Sequence, residues 1–330
     1  MKHIFYIHSN ITSVCSYETI KKLQDSGEEV IIILTRSTKW PYDNNNLCII
    51  DFSLLLSFYF SKLPKIRSIK DVVMSKILKK RIVEIIKKIT NNDEYLMYIP
   101  QYHIGIVSFF CDYKQCKAYY YIEEGVGAYL PKEEVKLLYS PTFRVFSILF
   151  GVPYHYLFHI NKKFKGVIAI NDQAFPWYKG HKIINNVCTK LSGDDDYSMR
   201  KNIIILPPLT IDNEELKELI LFIYNHLSYN SNIPIAVKFH PKSSTREKEA
   251  FSEIQELVKE LNIEILPNHF VVEFSIFDAN SIIYSLQEKS SLLLYAYIAG
   301  VESYWVYKSN KITNVKKVNS IQELLTITYL

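Results

Sequence analysis

A chain of 330 residues with 48% hydrophobic and 22% charged residues has the composition of a folded soluble protein and suits two domains of ordinary size. A net charge of +5 is mild for this length; it suits an anionic partner or a membrane surface better than a dedicated nucleic-acid binder. Five cysteines, odd in number and without a CxxC pair, exclude a disulfide framework and point to reduced thiols in the cytoplasm.

In chain order, residues 2–8 read as a strand, so no signal peptide is expected, and the polar loop Ser9–Ser13 follows. Ser16–Gln24 has helical spacing, with Ser16 as its N-cap and Gly27 beyond its end. Glu29–Leu34 is a near-continuous apolar strand of the kind buried on both faces, and Leu47–Asp51 is a shorter one. The apolar run from Cys48 to Phe60 is too short to span a bilayer. Ile66–Thr90 predicts a helix with Val72, Val73, Ile77, Ile82, Val83 and Ile86 on one side and lysines and Arg81 on the other. Tyr95–Ile99 is a strand, His103–Tyr113 a helix and Ala118–Ile122 a strand.

This alternation predicts a parallel sheet wrapped by helices, in a first domain of residues 1–160. The aromatic stretch Pro141–Ile160 reads as helical core or an interdomain surface. A second series covers 161–330: strands at Val167–Ile170, Asn202–Leu206, Ile235–Phe239, Asn280–Tyr284 and Glu302–Tyr307, with helices at Asp212–Leu227, Arg246–Leu261, Ser290–Ile298 and Ile321–Thr328. The expected architecture is α/β, with two Rossmann-like domains facing each other across a deep cleft.

Three short motifs carry chemistry. The strand Ala118–Ile122 runs into Glu123-Glu124-Gly125; successive strand residues project to opposite faces, so the two carboxylates cannot look the same way. His240-Pro241 ends an apolar strand and is flanked by Lys238 and Lys242, a setting for proton transfer near an anionic group. Ser290-Ser291 stand at a helix start, where serines cap and where backbone amides also bind phosphate. Between them, Glu273 is a carboxylate in an apolar context, suited to a helix start or to a ribose diol. Each motif has a bland counterpart: a surface bend, a chain-turning His-Pro, a simple cap.

In this order and spacing the motifs resemble the bacterial sialyltransferases of GT-B fold, closest to the lipooligosaccharide sialyltransferases of glycosyltransferase family 52, with the bacterial polysialyltransferases as relatives. The family pattern of two acidic residues and Gly, His-Pro, and Ser-Ser corresponds to Glu123-Glu124-Gly125, His240-Pro241 and Ser290-Ser291. The likeness of architecture covers nearly the whole chain, and that of motifs about a dozen positions. Glu-Glu replaces pairs ending in Asp, and Gln287-Glu288-Lys289 stands where small residues are more usual.

The resemblance implies inverting transfer of sialic acid from CMP-sialic acid to an oligosaccharide acceptor, a terminal galactose in α-2,3 linkage on a lipooligosaccharide or capsule. It places Glu123 as general base, with Glu124 turned away to hold the bend through backbone hydrogen bonds or serving as the alternative base. His240 then acts as general acid to the departing phosphate, Lys238, Pro241, Glu273, Ser290 and Ser291 bind CMP, and Asn10 and Gly125 approach the sugars. No metal or cofactor is expected. Asp194-Asp195-Asp196 reads as a solvated turn, and His155 and His159 as packing residues. The basic face of the 66–90 helix reads as a solvated side or as a means of bringing the enzyme to the cytoplasmic face of the inner membrane. No nucleic-acid partner is expected, and a homodimer is left open. The rival readings are a polysialyltransferase, a transferase of another CMP-activated acid such as Kdo, a nucleotide-sugar epimerase of similar fold, and a catalytically silent glycan-binding protein.

Overall fold

The structure is a computed structural model. It describes residues 1–35, 38, 40–42, 47–52, 69–100, 105–131, 162–187, 201–205, 213–228, 233–239, 248–267, 270–276, 281–286, 290–309 and 312–327. The chain forms two compact units, residues 1–192 and 193–330.

In the first unit the strands are β1 (Lys2–Ile7), β2 (Glu29–Leu34), β3 (Cys48–Asp51), β4 (Tyr95–Ile99), β5 (Cys116–Ile122), β6 (Phe164–Ala169) and β7 (Lys182–Ile184). They pair throughout in parallel, in the order β3-β2-β1-β4-β5-β6-β7. The chain works outward from β1 to β3, returns to lay β4 on the other side of β1, and works outward again. Between β1 and β4 lies the topological switch point, where open parallel sheets bind ligands beyond the carboxyl ends of their strands. The described helices are α1 (Asn10–Asp25), α2 (Ile69–Thr90) and α3 (Gly105–Asp112). Every residue of β1 is buried, as expected of a central strand covered on both faces.

The expected boundary near residue 160 is corrected to 192. Residues 164–169 pair with β5 and residues 182–184 pair with 164–169, in parallel register Tyr121↔Val167 and Val167↔Lys182, so they complete the first sheet. The expected start of α1 also moves. Ser9 is the N-cap, and Ser9 and Thr12 form a capping box: Thr12 N donates to Ser9 Oγ at 3.3 Å and Ser9 N donates to Thr12 Oγ1 at 3.2 Å. Ser16 lies inside the helix, its hydroxyl donating to the Thr12 carbonyl at 2.6 Å. The polar run read as a loop is therefore the helix's first turn.

In the second unit β8 (Lys201–Ile205), β9 (Ile235–Lys238), β10 (Glu264–Ile265), β11 (Ser281–Ser285), β12 (Ser303–Ser309) and β13 (Ile312–Lys317) are ordered β10-β9-β8-β11-β12-β13. All pair in parallel except β13, which turns back against β12. Its helices are α4 (Asn213–Ser228), α5 (Lys248–Glu260), α6 (Val272–Ile276), α7 (Ser291–Ile298) and α8 (Ile321–Ile327). Leu216, Leu219, Ile220 and Ile223 of α4 pack with Ile254 and Val258 of α5, Ile204 of β8 and Val237 of β9 in one core. Their spacing of three and four residues is the helical stripe visible in the sequence. The switch point here lies between β8 and β11. Pro141–Ile160, Asp194–Asp196, His155 and His159 lie outside the described residues.

Candidate functional site

The first unit's candidate site is built where β1 and β5 end. His8 follows β1 directly, and Ser9 then caps α1. On the far side of β4, β5 ends at Ile122 and Glu123 N donates to Ile168 O at 2.8 Å, extending the ladder with β6 by one bond. The chain then turns at Gly125, whose φ of 62° and ψ of −165° suit glycine, and enters a short 3-10 turn, Val126–Tyr129.

The two carboxylates at this turn have opposite surroundings. Glu123 is wholly buried. Its Oε1 accepts from the Tyr129 hydroxyl at 2.6 Å and its Oε2 from Ile170 N at 2.9 Å. Glu124 instead hydrogen-bonds through Oε1 to His8 Nε2, and its side chain is 15% exposed against 1% for His8. His8 Nδ1 and Glu124 Oε2 are buried and have no hydrogen-bond partner among the described residues. A buried polar atom without a partner is costly, so such a pair marks a place where water or a ligand group binds. The places expected of the two residues are therefore exchanged. Glu123 holds the turn, because alternation points it at Tyr129 and the end of β6, and Glu124 faces the switch point.

Cys15, one turn into α1, lies under both carboxylates. Burial pushes its thiol well up, and the charges of Glu123 and Glu124 push it further, so it is a neutral neighbour. Burial likewise raises the Tyr129 phenol, and Glu123 adds to the effect; the hydroxyl stays protonated and serves as a donor. The helix is tied down from its other side by Asn185, just past β7. Asn185 Nδ2 donates to Cys15 O at 2.7 Å and to Thr19 Oγ1 at 2.8 Å, and Asn185 N donates to Ala169 O at 2.8 Å. Asn10, expected to approach the sugars, is half-buried in the first turn of α1, two residues past His8.

In the second unit, register sets Lys238, Ile205 and Ser285 side by side at the carboxyl ends of β9, β8 and β11. Lys238 is buried and donates from Nζ to Pro267 O at 2.7 Å. Burial lowers its pKa and the nearby Glu273 charge opposes that shift. Glu273 itself lies in the first turn of α6, a favourable place for a carboxylate. Ser290 is the N-cap residue of α7, buried, with φ −82° and ψ 113°. Its hydroxyl makes no capping bond, so the first-turn amides receive nothing from it. Ser291 is half-buried. His240-Pro241 lies outside the described residues, two positions past Lys238 in sequence. Lys238, Glu273, Ser290 and Ser291 thus come from segments at the carboxyl-end side of one sheet. Among the described residues no three His, Cys, Asp or Glu side chains are grouped to hold a metal.

His8, Tyr129 and Asn185 are the residues that the motifs did not identify. His8 carried one available signal, its place directly after the first central strand. Tyr129 and Asn185 had none, since their partners lie across the fold.

No protein-family model matches the sequence, and no curated protein matches it. Among solved structures the chain is similar to the UDP-GlcNAc 2-epimerase of Methanocaldococcus jannaschii, at 10% identity and a TM-score of 0.50, covering 100% of this chain and 92% of that one. It is similar too to a UDP-N-acetylglucosamine 2-epimerase from Listeria monocytogenes, at 10% identity and a TM-score of 0.51, covering 94% and 80%. At such identity the likeness is one of fold. Two Rossmann-like units in series, each built on a mainly parallel sheet, give the chain the GT-B fold.

Proposed function

We propose that the protein is a metal-independent glycosyltransferase that moves sialic acid from CMP-sialic acid to a terminal sugar of a bacterial surface glycan, with inversion at the anomeric carbon. The observation that carries this reading is the His8–Glu124 pair at the first switch point, with one carboxylate oxygen lacking a protein partner. An acceptor hydroxyl is a weak nucleophile and needs a carboxylate to take its proton as it attacks. Glu124 is that base: its Oε2 receives the proton as the new C–O bond forms, while the bond from the anomeric carbon to the CMP phosphate breaks. Glu123 cannot share the task, since both its oxygens already accept hydrogen bonds in the core.

The departing phosphate gains charge and must be stabilised. His240 is assigned to donate to it, and the start of α7 with Ser290 and Ser291 to hold its oxygens; Glu273 is assigned to the ribose diol. These assignments rest on the motif resemblance, on the place of these segments at the carboxyl ends of β9 and β11, and on the uncapped first turn of α7. Lys238, already bonded to Pro267 O, supports the segment leading into α6 and adds its charge from there. A reading as a UDP-sugar epimerase is the rival, because both structural neighbours are named for that activity.

The test follows CMP release from CMP-sialic acid with lactose and with oligosialic acid as acceptors, in parallel with consumption of UDP-GlcNAc. Acceptor-dependent CMP release is expected. It should fall about 10²–10⁴-fold in Glu124→Gln, with CMP affinity preserved, and should persist in EDTA. Conversion of UDP-GlcNAc without turnover of CMP-sialic acid would overturn the reading. Full activity in Glu124→Gln would remove the base assignment.

A further inference from the structure

The net positive charge of the protein is concentrated in one helix. The 22 residues of α2 hold seven cations and two acids, a net of +5, which equals the net charge of the whole chain, so the other residues balance to zero. In the part of α2 whose side chains are described, Lys79, Lys80, Arg81, Lys87 and Lys88 are exposed on one side, with Glu84 the one exposed acid among them. Ile82, Ile86 and Thr90 turn inward. At 100° per residue the exposed residues cover a little more than half the circumference.

These five cations have no carboxylate partner among the described residues. Several lysines elsewhere sit against acids: Lys117 against Glu94, Lys201 against Glu264, Lys217 against Glu214 and Glu253, Lys316 against Glu323. Lys87 and Lys88, in the last turn, also complement the negative end of the helix dipole. Lys79, Lys80 and Arg81 lie too far from that end to gain from it. Like charges crowded on one face repel, so the arrangement is unfavourable unless something anionic covers it.

We propose that this face of α2 docks the protein on an anionic lipid surface. Two observations favour lipid over nucleic acid. The patch is lysine-rich, presenting hydrated point charges that suit a fluid layer of head groups more than the bidentate contacts of arginine. No aromatic side chain is exposed between the cations to stack on bases. No helix among the described residues is long and apolar enough to cross a membrane. This inference stands apart from the catalytic reading, since it uses none of the same residues.

The test is co-sedimentation of the full chain with vesicles of phosphatidylcholine, with and without phosphatidylglycerol, and with a duplex DNA of random sequence as competitor. Binding is expected only to the phosphatidylglycerol vesicles, reversed by salt and not displaced by the DNA. Combined Lys79→Glu, Lys80→Glu and Arg81→Glu substitutions, which leave the last turn of the helix untouched, should lower vesicle affinity at least about a hundredfold. Because the residues are exposed, the melting curve should be retained; the salt dependence of the unaltered protein supplies a check that needs no variant. Equal binding to neutral vesicles, binding unmoved by salt or charge reversal, or preferential binding to DNA would each overturn the proposal.

Discussion

Tyr129 donates its hydroxyl to Glu123 across 2.6 Å, and both groups are buried. The bond spans the turn at Gly125 and fixes the carboxylate that does not face the switch point. Its neighbour Glu124 is thereby fixed facing the other way, against His8. A carboxylate usually read as reactive because of its motif is, here, the anchor of the one beside it.

Tyr129→Phe removes that donor and leaves Glu123 Oε1 buried without it. Hydrogen bonds to charged groups are worth about 1.5–3 kcal/mol, and the variant should lose stability on that scale. Urea denaturation of the full chain measures it. A loss within error of zero would show that the buried carboxylate is protonated or rescued by water, and that the bond is not the anchor of the turn.

Gly125→Ala places a Cβ where φ is 62° and ψ is −165°. That region is essentially reserved for glycine and should cost about 1–3 kcal/mol. Thermal melting followed by circular dichroism should show a lower midpoint. In a transfer assay the same variant should lose turnover, because the chain carrying Glu124 must shift to relieve the strain. Unchanged melting would mean the turn relaxes freely.

The thiols should react in a fixed order. Cys48 is exposed, whereas Cys15, Cys111 and Cys116 are buried. Burial pushes Cys116 up to about 12 and Cys15 and Cys111 well above the ordinary thiol value, so their thiolate fractions are small. Brief labelling of the folded protein, with the modified peptides identified by mass spectrometry, should find Cys48 modified at least about tenfold faster than these three. Early labelling of Cys15 would show that the core around this thiol, near Glu123 and Glu124, opens to solvent.

Much of the fold was legible in the sequence. Apolar runs such as Glu29–Leu34 and Ile235–Phe239 announce strands buried on both faces, and the spacing of Leu216, Leu219, Ile220 and Ile223 announces a helix packed along one side. Of the outer strands, β3 was legible, but β7, β10 and β13 were not. Lys182–Ile184 and Glu264–Ile265 have too few residues for a pattern, and the mostly polar β13 carries no apolar alternation because it forms a sheet edge. The boundary was misplaced for a related reason: the sequence of β6 says that it is a buried strand, but not which sheet receives it. Pairing with β5 decides that, and pairing is a long-range event.

At Glu123-Glu124-Gly125 the division is the same. Alternation along a strand, a local rule, already required the two carboxylates to face opposite ways. Which of them faces the switch point depended on Tyr129 and Ile170 lying on one side of β5 and His8 on the other. His8 and Ile170 are more than forty residues from the turn, so only the folded sheet brings their groups within hydrogen-bonding distance, and only there does a pair of equivalent side chains become an anchor and a base.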